Sequence, residues 1–132
     1  MSCFVYNDNV ELRDQIIFGD YDKRRYFGGI ARFNGVSLST LIALARCEFL
    51  DFNEGQYNAP DNGSIMQFMA NFSGYTAHGY VVSIERDGYR LSIEGVEKNG
   101  EITAEEKQAF LELFGEASEM VTEPNYHYCR FD

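Results

Sequence analysis

Apolar residues recur at helical spacing in three stretches of the chain and alternate with polar ones in two others. In SLSTLIALARCEFL, the residues Leu38, Leu41, Ile42, Ala45 and Phe49 fall on one side of a helix, and Ser37 stands before them as an N-cap. This predicts a helix over 38–50. After the turn-rich NEGQYNAPDNG, the residues Ile65, Phe68, Met69 and Phe72 predict a second helix over 64–73, with Ser64 and Gln67 as a capping box. Thr103 with Glu106 marks the start of a third helix, whose inner stripe is Phe110, Leu113, Phe114 and Ala117. Its end is set either by Gly115 or by a continuation to Ser118.

Alternation takes over in VVSIERDGYRLSIE, where Asp87-Gly88 is a two-residue hairpin signal. That turn pairs Ile84 with Leu91 and Val82 with Ile93 on one face, and Glu85 with Arg90 on the other. Val82, Ile84, Leu91 and Ile93 are then the face toward the helices, because a slip of one residue reverses every side chain. The terminal YHYCRFD reads as a further antiparallel strand. The first thirty-five residues are less regular. CFVY fits a short strand, and DQIIFGD and YFGGIARF fit strand pieces or aromatic-packed loops interrupted by glycine. The expected architecture is α+β: an antiparallel sheet of three to four strands with about three helices on one face.

Size agrees with this pattern. A chain of 132 residues forms one domain spanning 1–132, large enough to bury a core without metal or disulfide. Its 45% hydrophobic content excludes disorder, and 11 Phe and 9 Tyr supply bulky core or contact rings. The net charge of −10 disfavours direct binding to nucleic-acid phosphates. The one basic run, Lys23-Arg24-Arg25, sits beside Asp20 and Asp22 and reads as a solvated loop. Three separated cysteines (Cys3, Cys47, Cys129) without a C-x-x-C pair point to reduced thiols in a cytoplasm. Neither a signal-type leader nor a membrane-length apolar run is expected, and no cofactor motif is present.

Two sets of residues carry candidate chemistry. On the third helix, Glu105, Glu112, Glu116 and Glu119 fall within about 60° of one another. Carboxylates about 6 Å apart approximate the spacing of phosphates along one strand, so a basic protein that binds nucleic acid is a candidate partner. The plainer account is a solvated helix face, and the row requires the helix to run past Gly115. The second set is His78, His127 and Cys129, which the sheet could gather into a Cys–His pair or a metal site. The plainer account is a histidine bonded at the strand entry and two packing residues. EKNGEITAEE imitates the end of a calcium loop, but Gly95 stands where the first aspartate is needed, so calcium is rejected.

With His78-Gly79-Tyr80, Tyr89-Arg90 and Glu94-Gly95 in TAHGYVVSIERDGYRLSIEGVE, and with the aromatic end YHYCRFD, the chain resembles a family of small bacterial proteins common among gut bacteria and their mobile elements. The likeness covers residues 36–132. It implies an intracellular α+β domain of no known activity, and so assigns no catalytic residue. The expectation is a macromolecular binding module, in its sharper form an inhibitor of a basic protein that imitates nucleic acid. The alternative is a small enzyme or metal-binding domain built on His78, His127 and Cys129.

Overall fold

The computed structural model describes residues 4–132. Four α-helices and five strands follow in the order α1 (Val10–Phe18), a 3-10 turn (Lys23–Arg25), β1 (Ile30–Val36), α2 (Leu38–Arg46), α3 (Asn62–Asn71), β2 (Thr76–Val82), β3 (Leu91–Asn99), α4 (Ala104–Phe114), β4 (Glu119–Glu123) and β5 (Tyr126–Arg130). All strand pairs are antiparallel, and the sheet order is β1-β2-β3-β5-β4. The α+β class holds.

Helix starts are set by side chains that cap free backbone N–H groups. Ser37 accepts from Thr40 N at the head of α2. At α3 the cap is Asp61, which accepts from Ser64 N at 2.8 Å, rather than Ser64 itself. A carboxylate at this position also favours the helix dipole. The Thr103–Glu106 capping box of α4 is complete. Glu106 does more than cap: its carboxylate takes a 2.8 Å bond from Lys98 of β3, so one residue both starts α4 and fastens it to the sheet.

The core lies between the helices and one face of the sheet. Ala31, Phe33, Ala77, Val81, Leu91, Ile93, Val96, Cys129 and Phe131 come from the sheet and its C-terminal extension, and meet Leu41, Leu44, Ile65, Phe68, Met69, Phe110 and Phe114. A cluster of Phe68, Tyr75, Phe110 and Phe114 fills its centre, with Phe68 edge-to-face on Tyr75 and Phe114. Each of these rings contributes on the order of 1.5–3 kcal/mol through burial.

Three expectations are corrected. The DQIIFGD segment belongs to helix α1, capped by Asn9 at its start and by left-handed Gly19 (φ 85°) at its end. CFVY forms no strand over its described residues; Cys3 lies outside them. The hairpin turn is not Asp87-Gly88. A type I′ turn needs positive φ at both central residues; Gly88 has it (φ 80°) and Asp87 does not. The two-residue turn with both angles positive is Gly28-Gly29, where Phe27 and Ile30 exchange bonds of 2.8 and 3.0 Å.

β2 and β3 are instead joined by the loop 83–90, which docks on that glycine turn through Ser83 N to Gly29 O (2.7 Å) and Arg86 to Gly28 O (2.9 Å). The register follows from this longer loop. Val81 opposes Leu91 and Gly79 opposes Ile93. Val82, Leu91 and Ile93 are buried, but Ile84 sits in the loop with 43% exposure. The expected Glu85–Arg90 pair does not form: Arg90 lies 3.6 Å from Glu54, and Glu85 lies 3.9 Å from Lys23.

Candidate functional site on the uncovered sheet face

Strand residues alternate sides, so the face away from the helices carries Arg32 of β1, His78 and Tyr80 of β2, Ser92, Glu94 and Glu97 of β3, and Tyr128 and Arg130 of β5. The two ends of this face differ. At one end the loop 51–61 lies over it, with Gln56 donating to Tyr80 Oη (3.1 Å) and to Ser92 Oγ. Arg90 also donates to Tyr80 Oη, at 2.8 Å. Burial raises the Tyr80 pKa, but the bonds from Gln56 and Arg90 oppose it, and the net direction is down. At the other end the face is open and forms a cleft of about 330 Å³.

A β-bulge shapes that cleft. His78 pairs with Gly95 while Gly79 pairs with Ile93, so Glu94 is an extra residue on β3. The bulge breaks strict alternation: Ile93 and Val96 both reach the core, and Glu94 is released to the outer face. There it is buried beneath two guanidinium groups. Arg32 reaches it from β1 with Nη1 2.5 Å from Oε1, and Arg130 approaches from β5 with Nε 3.8 Å from Oε2.

Gly95 has a second role. A Cβ there would overlap the Cys129 carbonyl oxygen and stand 3.0 Å from His78 Cε1. The missing side chain lets the His78 imidazole cross β3, stack on Tyr128 (centroids 5.1 Å apart, planes 7°) and place Nε2 2.9 Å from Cys129 O. A carbonyl oxygen only accepts, so Nε2 carries the proton. Burial lowers the His78 pKa, against the Cys129 carbonyl, Glu94 and Glu97, which raise it; Arg130 adds to the lowering. The ring is therefore neutral near pH 7, and Nδ1 keeps a lone pair without a hydrogen-bond partner among the described residues.

His78, His127 and Cys129 do not share a site. His78 lies on the Tyr128 side of the sheet, whereas His127 and Cys129, the neighbours of Tyr128, point into the core. His127 takes part in a 2.8 Å bond between Nδ1 and Tyr75 Oη and lies against Phe110 (centroids 4.4 Å). Its Nε2 is buried without a partner, and burial lowers its pKa. The Cys129 thiol is buried and pushed up to about 12 by that burial, so it is not a nucleophile at neutral pH. Among the described residues, no group of three His, Cys, Asp or Glu could hold a metal ion.

The acidic row is also divided. α4 ends at Phe114 with Gly115 as its C-cap, so Glu105 and Glu112 stand on the helix, Glu116 in the following turn and Glu119 at the head of β4. Glu119 lies 3.7 Å from Arg130 Nη1. The cleft residues Arg32, Glu94, Tyr128 and Arg130 are not foreseen from the sequence because bringing them together takes four strands and a bulge. The only local signal is Glu94-Gly95, a charged residue followed by glycine inside an apolar strand. No helix among the described residues is long and apolar enough to cross a membrane. No protein-family model, curated protein or solved structure matches the chain.

Proposed function

We propose that this protein is a cytoplasmic binding module that acts by contact with another macromolecule, a basic protein, and that its contact surface is the open half of the sheet. The observation that carries this reading is the chemistry of that surface. This face presents Tyr126, Tyr128, His78, Arg32 and Arg130, at least partly exposed and arranged around a buried carboxylate. Tyrosine and arginine are among the residues enriched at protein contact surfaces. The net charge of −10 favours a basic partner through long-range attraction. Free Cys47 and Cys129 are in keeping with a reducing compartment.

The narrower form, an inhibitor imitating nucleic acid, rests on the exposed carboxylates Glu105, Glu112, Glu116 and Glu119. With α4 ending at Phe114 they no longer make one straight row, which favours the sheet face as the surface. Affinity capture from the native cell separates the two. The double variant Arg32→Ala/Tyr128→Ala should lose the recovered protein while its circular dichroism stays unchanged. If capture survives that variant and is lost only when the four glutamates are reversed to lysine, the sheet face is not the contact surface.

A further inference from the structure

The open cleft is polarised. One end holds two guanidinium groups that are ion-paired but keep some N–H groups outside any hydrogen bond. Arg130 stands among Asp132 (3.2 Å), Glu119 (3.7 Å) and Glu94 (3.8 Å), yet its buried Nε makes no hydrogen bond, and Arg32 commits only Nη1, to Glu94. The other end holds an acceptor with nothing to accept, His78 Nδ1, whose ring is fixed by the Cys129 carbonyl and the Tyr128 stack. Beyond it lies Glu97, which accepts one bond from Tyr126 at 2.5 Å. A ligand that completes both ends carries a planar anion and an N–H group.

From this we infer that the cleft receives the C-terminal residue of a partner polypeptide, its carboxylate held by Arg32 and Arg130 and its own amide N–H donated to His78 Nδ1. Those two groups hang on one Cα atom in every chain end, and Arg32, His78 and Arg130 line one cleft. The capture of a terminal carboxylate by fixed donors is a recurrent way of reading peptides.

Net charge sets a further condition. Glu94, Glu97, Glu119 and Asp132 outnumber the two arginines. Glu94 is already bonded to Arg32, and the side chains of Glu119 and Asp132 are more than half exposed and screened by water. The remaining negative field, with Glu97 at the cleft, selects a chain that ends in a basic residue. This inference rests on the sheet-face reading and supplies the chemistry of the partner.

The test uses an N-acetylated tripeptide ending in lysine, offered to the full chain with a free and with an amidated C-terminus, and acetate alone as a third ligand. The free peptide should bind on the order of 10–100-fold more tightly than the amidated one, the value of one charge-assisted contact. Arg130→Gln should erase that difference, whereas Glu105→Gln on α4 should keep it. Should Arg130→Gln unfold the chain, the comparison of the two peptides on the unaltered protein still decides. Equal binding of free and amidated peptide, or acetate binding as well as the peptide, overturns the inference. In that event, loss of capture in Arg32→Ala/Tyr128→Ala still upholds the sheet face as a contact surface. Discrimination between the two peptides, with capture intact in that variant, upholds the carboxylate site and removes the sheet face as the surface that holds the captured protein.

Discussion

One methyl group at position 95 would disturb everything that organises the cleft. It would meet the Cys129 carbonyl and the edge of the His78 ring together, and neither has room to retreat, since the carbonyl is backbone and the ring is stacked on Tyr128. Gly95→Ala is therefore expected to destabilise the chain by about 1–3 kcal/mol, the usual cost of overpacking. It should also release the His78 ring, read as a change in its NMR ring signals beside a urea unfolding curve. A stability equal to the parent would show that β3 can move aside. The neighbouring residues show how far local pattern reaches. Val82, Leu91 and Ile93 are buried as their alternation implies. Ile84 and the Glu85–Arg90 pair are misplaced because the turn rule is local, whereas the loop 83–90 is held by the Gly28-Gly29 turn more than fifty positions away along the chain. The hydrophobic pattern records which strands exist; the partner of each side chain is decided by tertiary contact.

Helices with an apolar stripe and a cap are the elements most legible beforehand, and α2, α3 and α4 all appear within a few residues of their expected bounds. α1 is not legible because its buried side carries charge. Arg13 and Asp14 are fully buried. Arg13 bonds Asp14 at 3.0 Å, the Val82 carbonyl at 3.0 Å and Tyr26 Oη at 2.6 Å, and Tyr26 in turn donates to Asp14. A helix whose inner face is an ion pair shows no amphipathic period, and only its caps, Asn9 and Gly19, could have disclosed it. Arg13→Ala should cost about 3–5 kcal/mol, because buried Asp14 would lose its countercharge and keep only the Tyr26 hydroxyl as a partner among the described residues. A loss of under about 1 kcal/mol by chemical denaturation would mean that water reaches the site. Caps weigh less: Thr103→Ala at the head of α4 should cost about 1 kcal/mol in the same experiment.

Taken as a whole, the chain hides two neutral histidines, His127 in the core and His78 beneath the open face, and both have pKa values lowered by burial. Glu106 raises that of His127 and Lys107 and Lys98 lower it, as Glu94 and Glu97 raise that of His78 and Arg130 lowers it. Below the unfolded value of about 6.5 the unfolded chain binds protons that the folded chain refuses. Stability thus falls as pH drops through about 6.5 and goes on falling until the lowered folded values are passed. His127→Phe, which keeps the ring contact with Phe110, should flatten the decline in thermal midpoint between about pH 7 and 5; an unchanged slope would place the effect elsewhere.

The sheet ends at β1 and β4, and β4 offers Glu119–Glu123 to solvent along an unpaired backbone. Were two copies to join antiparallel through β4, centred on Val121, Glu119 of each would stand opposite Glu123 of the other. Like charges directly across a ladder repel. The spacing of two glutamates thus works as a guard against runaway strand-to-strand growth, keeping the edge of a tyrosine-rich sheet from templating a fibril.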